Sequence, residues 1–65
     1  MNAIERIFGC TEEDGVWYYK NTKNVIYTIT ESIEKEHIVY TISLDGKRVK
    51  ELNYWWQVLD ATIDL

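Results

Sequence analysis

The dipeptide Asp45-Gly46 stands between two segments of alternating residues and limits the fold more than any other feature. Asp-Gly in this setting is typical of a two-residue turn that joins antiparallel strands. A turn of that length also fixes the register of the two strands. The predicted cross-strand pairs are Leu44 with Lys47, Ile42 with Val49, and Tyr40 with Glu51.

Two other segments are predicted to be strands of the same sheet. Val16–Lys20 is dense in β-branched and aromatic residues, and residues 25–30 alternate, with Tyr27 and Ile29 on one face. The charged stretch 31–36 that follows indicates a loop or a frayed strand extension. In the strand after it, the side chains expected to face inward are Ile38, Tyr40, Ile42 and Leu44.

The last segment changes to a helical period. Apolar residues at intervals of three and four form one predicted stripe, made of Leu52, Trp55, Trp56, Leu59 and Ile63. Asn53 is the expected N-cap. A strand in which Tyr54, Trp56 and Val58 alternate on one face is the competing interpretation. We favour the helix, because it would cover the inner face of the sheet.

The N-terminal segment favours a short helical turn that is capped by Asn2, has Glu5 three residues later and ends at Gly9. A strand through Ile7 and Phe8 is the alternative. A chain of 65 residues with one Cys has room for a single domain and no internal disulfide. We therefore expect one α+β domain over the whole chain: a three- or four-stranded antiparallel meander with a C-terminal helix packed on one face.

Candidate catalytic and metal-binding residues are few. Cys10 and His37 could form a nucleophilic dyad, but no motif brings them together, and a buried thiol with a surface imidazole is the simpler interpretation. The acidic residues 12–14 are consecutive, whereas calcium loops use alternating carboxylates, so a solvated loop is favoured. The three glycines are isolated and form no phosphate loop. We expect no enzymatic activity, no metal and no cofactor.

Nine aromatic side chains exceed what so small a core needs. Rings and lysines on strands can form a platform for nucleic acid, for which Trp17, Tyr19, Lys20 and Lys23 are the candidates. The net charge of −4 argues against direct binding, because affinity for nucleic acid comes largely from neutralised phosphates. An acidic surface with surplus Trp and Tyr better fits a protein partner with a basic surface.

The residues predicted to contact such a partner are acidic clusters and aromatic side chains. The acidic residues are Glu12, Glu13, Asp14, Glu31, Glu34 and Glu36. The aromatic residues are Trp17, Tyr19, Tyr54 and Trp55. The alternative interpretation is that the negative charge serves only solubility.

In size, acidity and its single cysteine, the chain resembles the small inhibitor proteins of phages and mobile elements, of which anti-CRISPR proteins are the best-known group. The resemblance spans the whole chain but rests on no motif, so it transfers no functional residue. It implies a protein that blocks a nuclease or another nucleic-acid enzyme of the host, such as a CRISPR effector, by stoichiometric binding.

A homodimeric structural or regulatory module is the alternative from another class. The surplus rings would then form the dimer interface, and Val16–Lys20 would pair as an edge strand across a two-fold axis. We expect no signal peptide and no membrane span, and a lone cysteine is typical of a reducing compartment. We therefore expect a cytoplasmic protein with no membrane partner.

Overall fold

A computed structural model describes residues 7–9 and 15–65 of the chain. Antiparallel strands form one sheet in the order β1-β2-β3-β4-β5, and a helix follows. The elements are β1 (Ile7–Phe8), β2 (Val16–Lys20), β3 (Ile26–Glu34), β4 (His37–Leu44), β5 (Lys47–Leu52) and α1 (Trp55–Thr62). The predicted α+β meander with a C-terminal helix is confirmed, with five strands in place of three or four.

The additional strand is β1, where the sequence favours a helical turn. Ile7 pairs with Tyr19 and Phe8 pairs with Tyr18, so the strand alternative is correct at these two residues. The rest of the predicted turn, residues 2–6, lies outside the described residues. Pairing with β1 satisfies backbone groups on one side of β2. β2 is therefore not a free edge strand at Tyr18 and Tyr19, as the predicted dimer would require.

The predicted two-residue turn at Asp45-Gly46 is confirmed. The two residues have φ angles of 52° and 80°, the left-handed values that tight hairpin turns require. Leu44 pairs with Lys47 at the base of the turn, as predicted.

A β-bulge in β5 changes the pairing beyond this turn. The observed pairs past the bulge are Ile42 with Lys50, Thr41 with Glu51, and Tyr40 with Leu52. The predicted pairs of Ile42 with Val49 and of Tyr40 with Glu51 are therefore wrong. Val49 is the extra residue, and it is 47% exposed. The bulge has a physical reason, because it puts Leu52 instead of a carboxylate opposite the buried Tyr40.

The helix is confirmed, but it turns a different face to the sheet. Its buried residues are Val58, Ala61 and Thr62. Trp56 and Ile63, which belong to the predicted stripe, are 64% and 73% exposed. The predicted stripe is correct for Leu52 and Trp55, which pack against the core, and wrong for Trp56 and Ile63. Leu52 belongs to β5 rather than to the helix.

The helix begins one residue later than predicted. Tyr54 is the N-cap, and the Oε1 atom of Gln57 accepts hydrogen bonds from the backbone N–H groups of Asn53 and Tyr54, both at 3.2 Å. These bonds satisfy donors at the start of the helix, as in one half of a capping box. The side chain of Asn53 instead donates to the carbonyl oxygen of Ile38 at 3.2 Å, which ties the helix start to β4.

The core lies between α1 and one face of the sheet. Its buried residues are Tyr19, Ile29, Tyr40, Ile42, Val58 and Ala61. The buried Asn21 joins the end of the helical segment to the turn after β2. Its Nδ2 donates to the carbonyl oxygen of Leu65 at 3.0 Å, and its Oδ1 accepts from the N–H groups of Lys23 and Val25 at 2.9 Å. Asn21 therefore fixes this end of the molecule.

Candidate protein-binding surface

The β3–β4 hairpin extends beyond the strands beside it. β2 pairs with β3 as far as Val16 and Thr30, and β5 pairs with β4 as far as Tyr40 and Leu52. Among the described residues, 31–39 therefore extend past the neighbouring strands, apart from one bond from the Glu31 N–H to the Gly15 carbonyl, and we call this two-stranded segment the tip ribbon. Of the two interpretations of the charged stretch 31–36, the strand extension is correct up to residue 34, and a turn follows.

Lys35 and Glu36 form the turn of the tip ribbon. Their φ angles are 46° and 72°, in the left-handed region that favours glycine and asparagine. Neither residue is of a type that favours this conformation, so the turn has no signal in the sequence. It places the charged side chains of both residues at the outermost point of the ribbon.

The two faces of the tip ribbon carry different side chains. The cross-strand pairs are Glu31 with Tyr40, Ser32 with Val39, Ile33 with Ile38, and Glu34 with His37. Because side chains alternate along a strand, Glu31 and Ile33 lie on the face that carries the core and the helix. Glu34 and His37 lie on the opposite face. The three predicted carboxylates of the ribbon are all exposed, but they do not share one face.

Exposed apolar side chains cluster where the ribbon meets the start of the helix. We call this cluster the tip surface; its residues and exposed fractions are Ile33 76%, Ile38 41%, Tyr54 60% and Trp56 64%. The rings of Tyr54 and Trp56 stack, with centroids 6.2 Å apart and planes at 14°. Ile38 and Tyr54 line an open cleft of about 580 Å³ together with Glu36, His37 and Asn53. Such a grouping of exposed apolar side chains is typical of an interaction site.

Two of the aromatic residues predicted to contact a partner pack instead in a cluster beside the core. The ring centroids of Trp17 and Trp55 are 4.9 Å apart, and Tyr40 lies 5.5 Å from Trp55 and 6.3 Å from Trp17. Both tryptophans are partly buried against the core. Tyr19 is 2% exposed, which keeps it from a partner in the folded protein. Among the four predicted rings, Tyr54 alone is largely exposed.

Glu31 lies beside this aromatic cluster and acts on Tyr40. Burial raises the pKa of the Tyr40 hydroxyl, and the negative charge of Glu31 and a hydrogen bond to its carboxylate raise it further. The side chain of Glu31 itself remains exposed. Glu31 and Tyr40 are therefore cross-strand neighbours on the inner face, and of the two only Glu31 is open to solvent.

The predicted acidic residues Glu12, Glu13 and Asp14 lie outside the described residues, as does Cys10. His37, the other member of the considered dyad, is exposed on the outer face of the tip ribbon. Within residues 7–9 and 15–65 there is no group of three or more His, Cys, Asp or Glu side chains placed to hold a metal ion. In the same part of the chain, no helix is long and apolar enough to cross a membrane.

Three members of the tip surface were not predicted from the sequence to contact a partner: Ile33, Ile38 and Trp56. Ile38 is predicted to face inward, and it does lie on the inner face of the sheet, but the helix begins too late to cover it. Ile33 also alternates with polar neighbours, but it lies in the charged stretch 31–36, which the sequence predicts to be a loop or a frayed strand extension. Trp56 is assigned to the wrong side of the helix. Alternation predicts the face of the sheet on which a residue lies. Whether another element covers that residue depends on the tertiary structure.

Basic side chains gather at the end of the molecule opposite the tip ribbon. They belong to the end of β2, the turn after it and the β4–β5 hairpin, and they are Lys20, Lys23, Lys47, Arg48 and Lys50. All five are exposed, and Arg48 forms an ion pair with Glu51. Asp45, Glu51 and Asp64 lie at the same end, so its charge is mixed, whereas carboxylates outnumber lysine in the tip ribbon.

No protein-family model, no curated protein and no solved structure matches this chain.

Proposed function

We propose that this chain is a non-catalytic binding protein that inhibits a nucleic-acid-handling protein by stoichiometric attachment to its basic surface. The observation that carries the proposal is the tip surface, in which exposed isoleucines and stacked rings adjoin the carboxylates of the tip ribbon. Apolar and aromatic residues supply most of the binding energy at protein interfaces, whereas charges set encounter rate and orientation. A basic partner is favoured because the tip ribbon carries three exposed carboxylates, Glu31, Glu34 and Glu36. Lys35 is the only residue of the ribbon with a fixed positive charge.

A CRISPR effector nuclease is the example that the resemblance in size and charge suggests, and such a partner would place the chain in the cytoplasm. The electrostatics favour a protein over nucleic acid. A phosphate backbone would be repelled by the ribbon, which carries the exposed apolar side chains that a binding surface needs.

Edge-to-edge homodimerisation is less favoured by the sheet. The free edge strand β5 carries Lys47, Arg48 and Lys50, and it is interrupted by the bulge at Val49. Charged side chains and bulges are the features that discourage pairing between edge strands.

Affinity capture with matched variants tests the proposal. The protein and its Trp56→Ala and Ile63→Ala variants would be used to capture proteins from a lysate of the source cell. Both substitutions truncate an exposed apolar residue of the helical segment, but only Trp56 belongs to the tip surface. We expect a basic protein that is lost with Trp56→Ala and retained with Ile63→Ala.

The captured protein would then be purified and mixed with the chain. A complex of fixed stoichiometry that lowers the activity of the partner supports the proposal. If every captured protein is retained equally by both variants, or if the purified partner keeps full activity in the complex, the proposal is wrong.

A further inference from the structure

Glu31 and Trp17 lie on the inner face of two adjacent strands, β3 and β2. Trp17 pairs with Ile29, two residues before Glu31 on the same strand, so Trp17 and Glu31 are diagonal neighbours across β2 and β3. Diagonal side chains in an antiparallel pair are within reach of each other when one is large. The diagonal position therefore puts an exposed carboxylate within reach of a partly exposed aromatic ring.

The aromatic cluster is too closely packed to enclose a ligand. Trp17, Tyr40 and Trp55 have centroid separations of 4.9 to 6.3 Å, which are contact distances between rings. A caged ammonium group is excluded on that ground. A cation bound here would instead lie flat against the outward side of a ring and meet a carboxylate at its edge.

We propose that Glu31 and Trp17 form a seat for an arginine side chain of the bound protein, an inference that rests on the proposed function. A guanidinium group is planar, stacks on aromatic rings and donates two parallel hydrogen bonds to one carboxylate. A lysine ammonium has neither the flat face nor the paired donors. Glu31 pairs with Tyr40 across β3 and β4 and is itself exposed, so its carboxylate is accessible to a partner.

The position of Ile33 adds a second requirement. Ile33 follows Glu31 by two residues on the same face of the ribbon, so their side chains are about 7 Å apart along the strand. A partner segment in extended conformation matches this spacing when an apolar residue stands two positions from the arginine. The seat therefore selects an arginine with an apolar neighbour on the same side of the segment.

A short peptide tests the seat without the natural partner. The probe is acetyl-Arg-Ser-Leu-amide, and the control is the same peptide with citrulline, which keeps the shape of arginine without its charge. Binding is followed by NMR through the indole N–H signals of Trp17, Trp55 and Trp56. We expect weak, saturable binding in which the arginine peptide is favoured over the citrulline peptide by about two- to fivefold at low salt.

The tip ribbon provides a matched pair of variants. Glu31→Gln and Glu34→Gln remove one charge each from the same strand, but Glu34 lies on the opposite face. We expect Glu31→Gln to abolish the preference for arginine over citrulline and Glu34→Gln to retain it. Glu31 is exposed, so the fold should persist in Glu31→Gln, which the dispersion of the NMR spectrum verifies.

Three results would contradict the proposed arginine seat. They are NMR shifts that do not saturate, equal affinity for the arginine and citrulline peptides, and the same loss of the arginine preference in Glu31→Gln and Glu34→Gln. These outcomes are separate from the fate of the proposed function. If the peptide binds as described but lysate capture finds no partner dependent on Trp56, the proposed function fails and the seat stands. If a partner is captured only when Trp56 is present but binds the Glu31→Gln variant as well as the native protein, the seat is wrong and the proposed function stands.

Discussion

The hydroxyl of Tyr19 donates a hydrogen bond of 2.9 Å to the carbonyl oxygen of Thr62. Both residues are buried, and they are 43 positions apart in the chain. The bond therefore connects β2, near one side of the sheet, to the last turn of α1. It gives Tyr19 a structural role in place of the partner contact that its residue type suggests.

Tyr19→Phe is expected to lower the free energy of unfolding by about 1 kcal/mol, since the ring stays in place and one buried hydrogen bond is lost. Urea denaturation followed by circular dichroism measures the change. Tyr54→Phe is the control, because Tyr54 is 60% exposed and should change stability by less than about 0.5 kcal/mol. Equal effects of the two substitutions would contradict the assigned role of Tyr19.

The tryptophans are expected to separate stability from binding. Trp17→Ala removes a ring that packs on both Trp55 and Tyr40, and it should destabilise the protein by about 3 kcal/mol. Trp56→Ala removes a ring that is 64% exposed and should cost less than about 1 kcal/mol. Thermal denaturation of the two variants measures the difference. A larger loss for Trp56→Ala would mean that the tip surface is part of the structural core.

The distinction matters for any binding experiment. A loss of binding in Trp17→Ala could result from unfolding, whereas a loss in Trp56→Ala with an unchanged melting temperature reports on the surface itself. Residue type alone favours both as contact residues. Burial separates their contributions to stability, because Trp17 packs against the core and Trp56 is largely exposed.

The strained turn of the tip ribbon is expected to respond to substitution. Lys35→Asn with Glu36→Gly replaces two residues at positive φ by types that adopt it readily, and should stabilise the protein by about 1 to 2 kcal/mol. The free energy of unfolding in urea measures the gain. The control is Lys35→Gln with Glu36→Gln, which removes the same charges but keeps the unfavourable backbone. A similar gain in the control would mean that charge, rather than backbone conformation, limits the turn.

Local sequence patterns account for the main features of the fold. The turn at Asp45-Gly46 needs only its two residues and the alternation on either side, and the helix follows from a change of period. The bulge at Val49 could not be predicted in this way. It depends on which residue is opposite Tyr40 once the sheet has formed, and the gain comes from burial of Leu52, which turn geometry does not encode.

The exposure of the tip surface could not be predicted from the sequence, for a related reason. Alternation puts Ile33 and Ile38 on the inner face of the sheet, where burial is the ordinary expectation. They stay exposed because the ribbon projects past β2 and β5 and because α1 begins only at Trp55. The lengths of three other elements therefore decide the exposure of these two residues.

Tyr40 is expected to make stability fall at alkaline pH. Its pKa is raised in the folded state, first by burial and then by Glu31, so the folded protein holds the phenolic proton more tightly than the unfolded chain does. The resulting stabilisation is complete below the unfolded pKa of about 10 and is lost as the pH rises through the folded pKa. The free energy of unfolding at pH 8 and at about pH 11 should therefore fall more in the native sequence than in Tyr40→Phe. Glu31→Gln should keep part of this extra fall, because burial is the larger cause of the raised Tyr40 pKa. An equal fall in all three proteins would show that Tyr40 does not contribute to the loss of stability at alkaline pH.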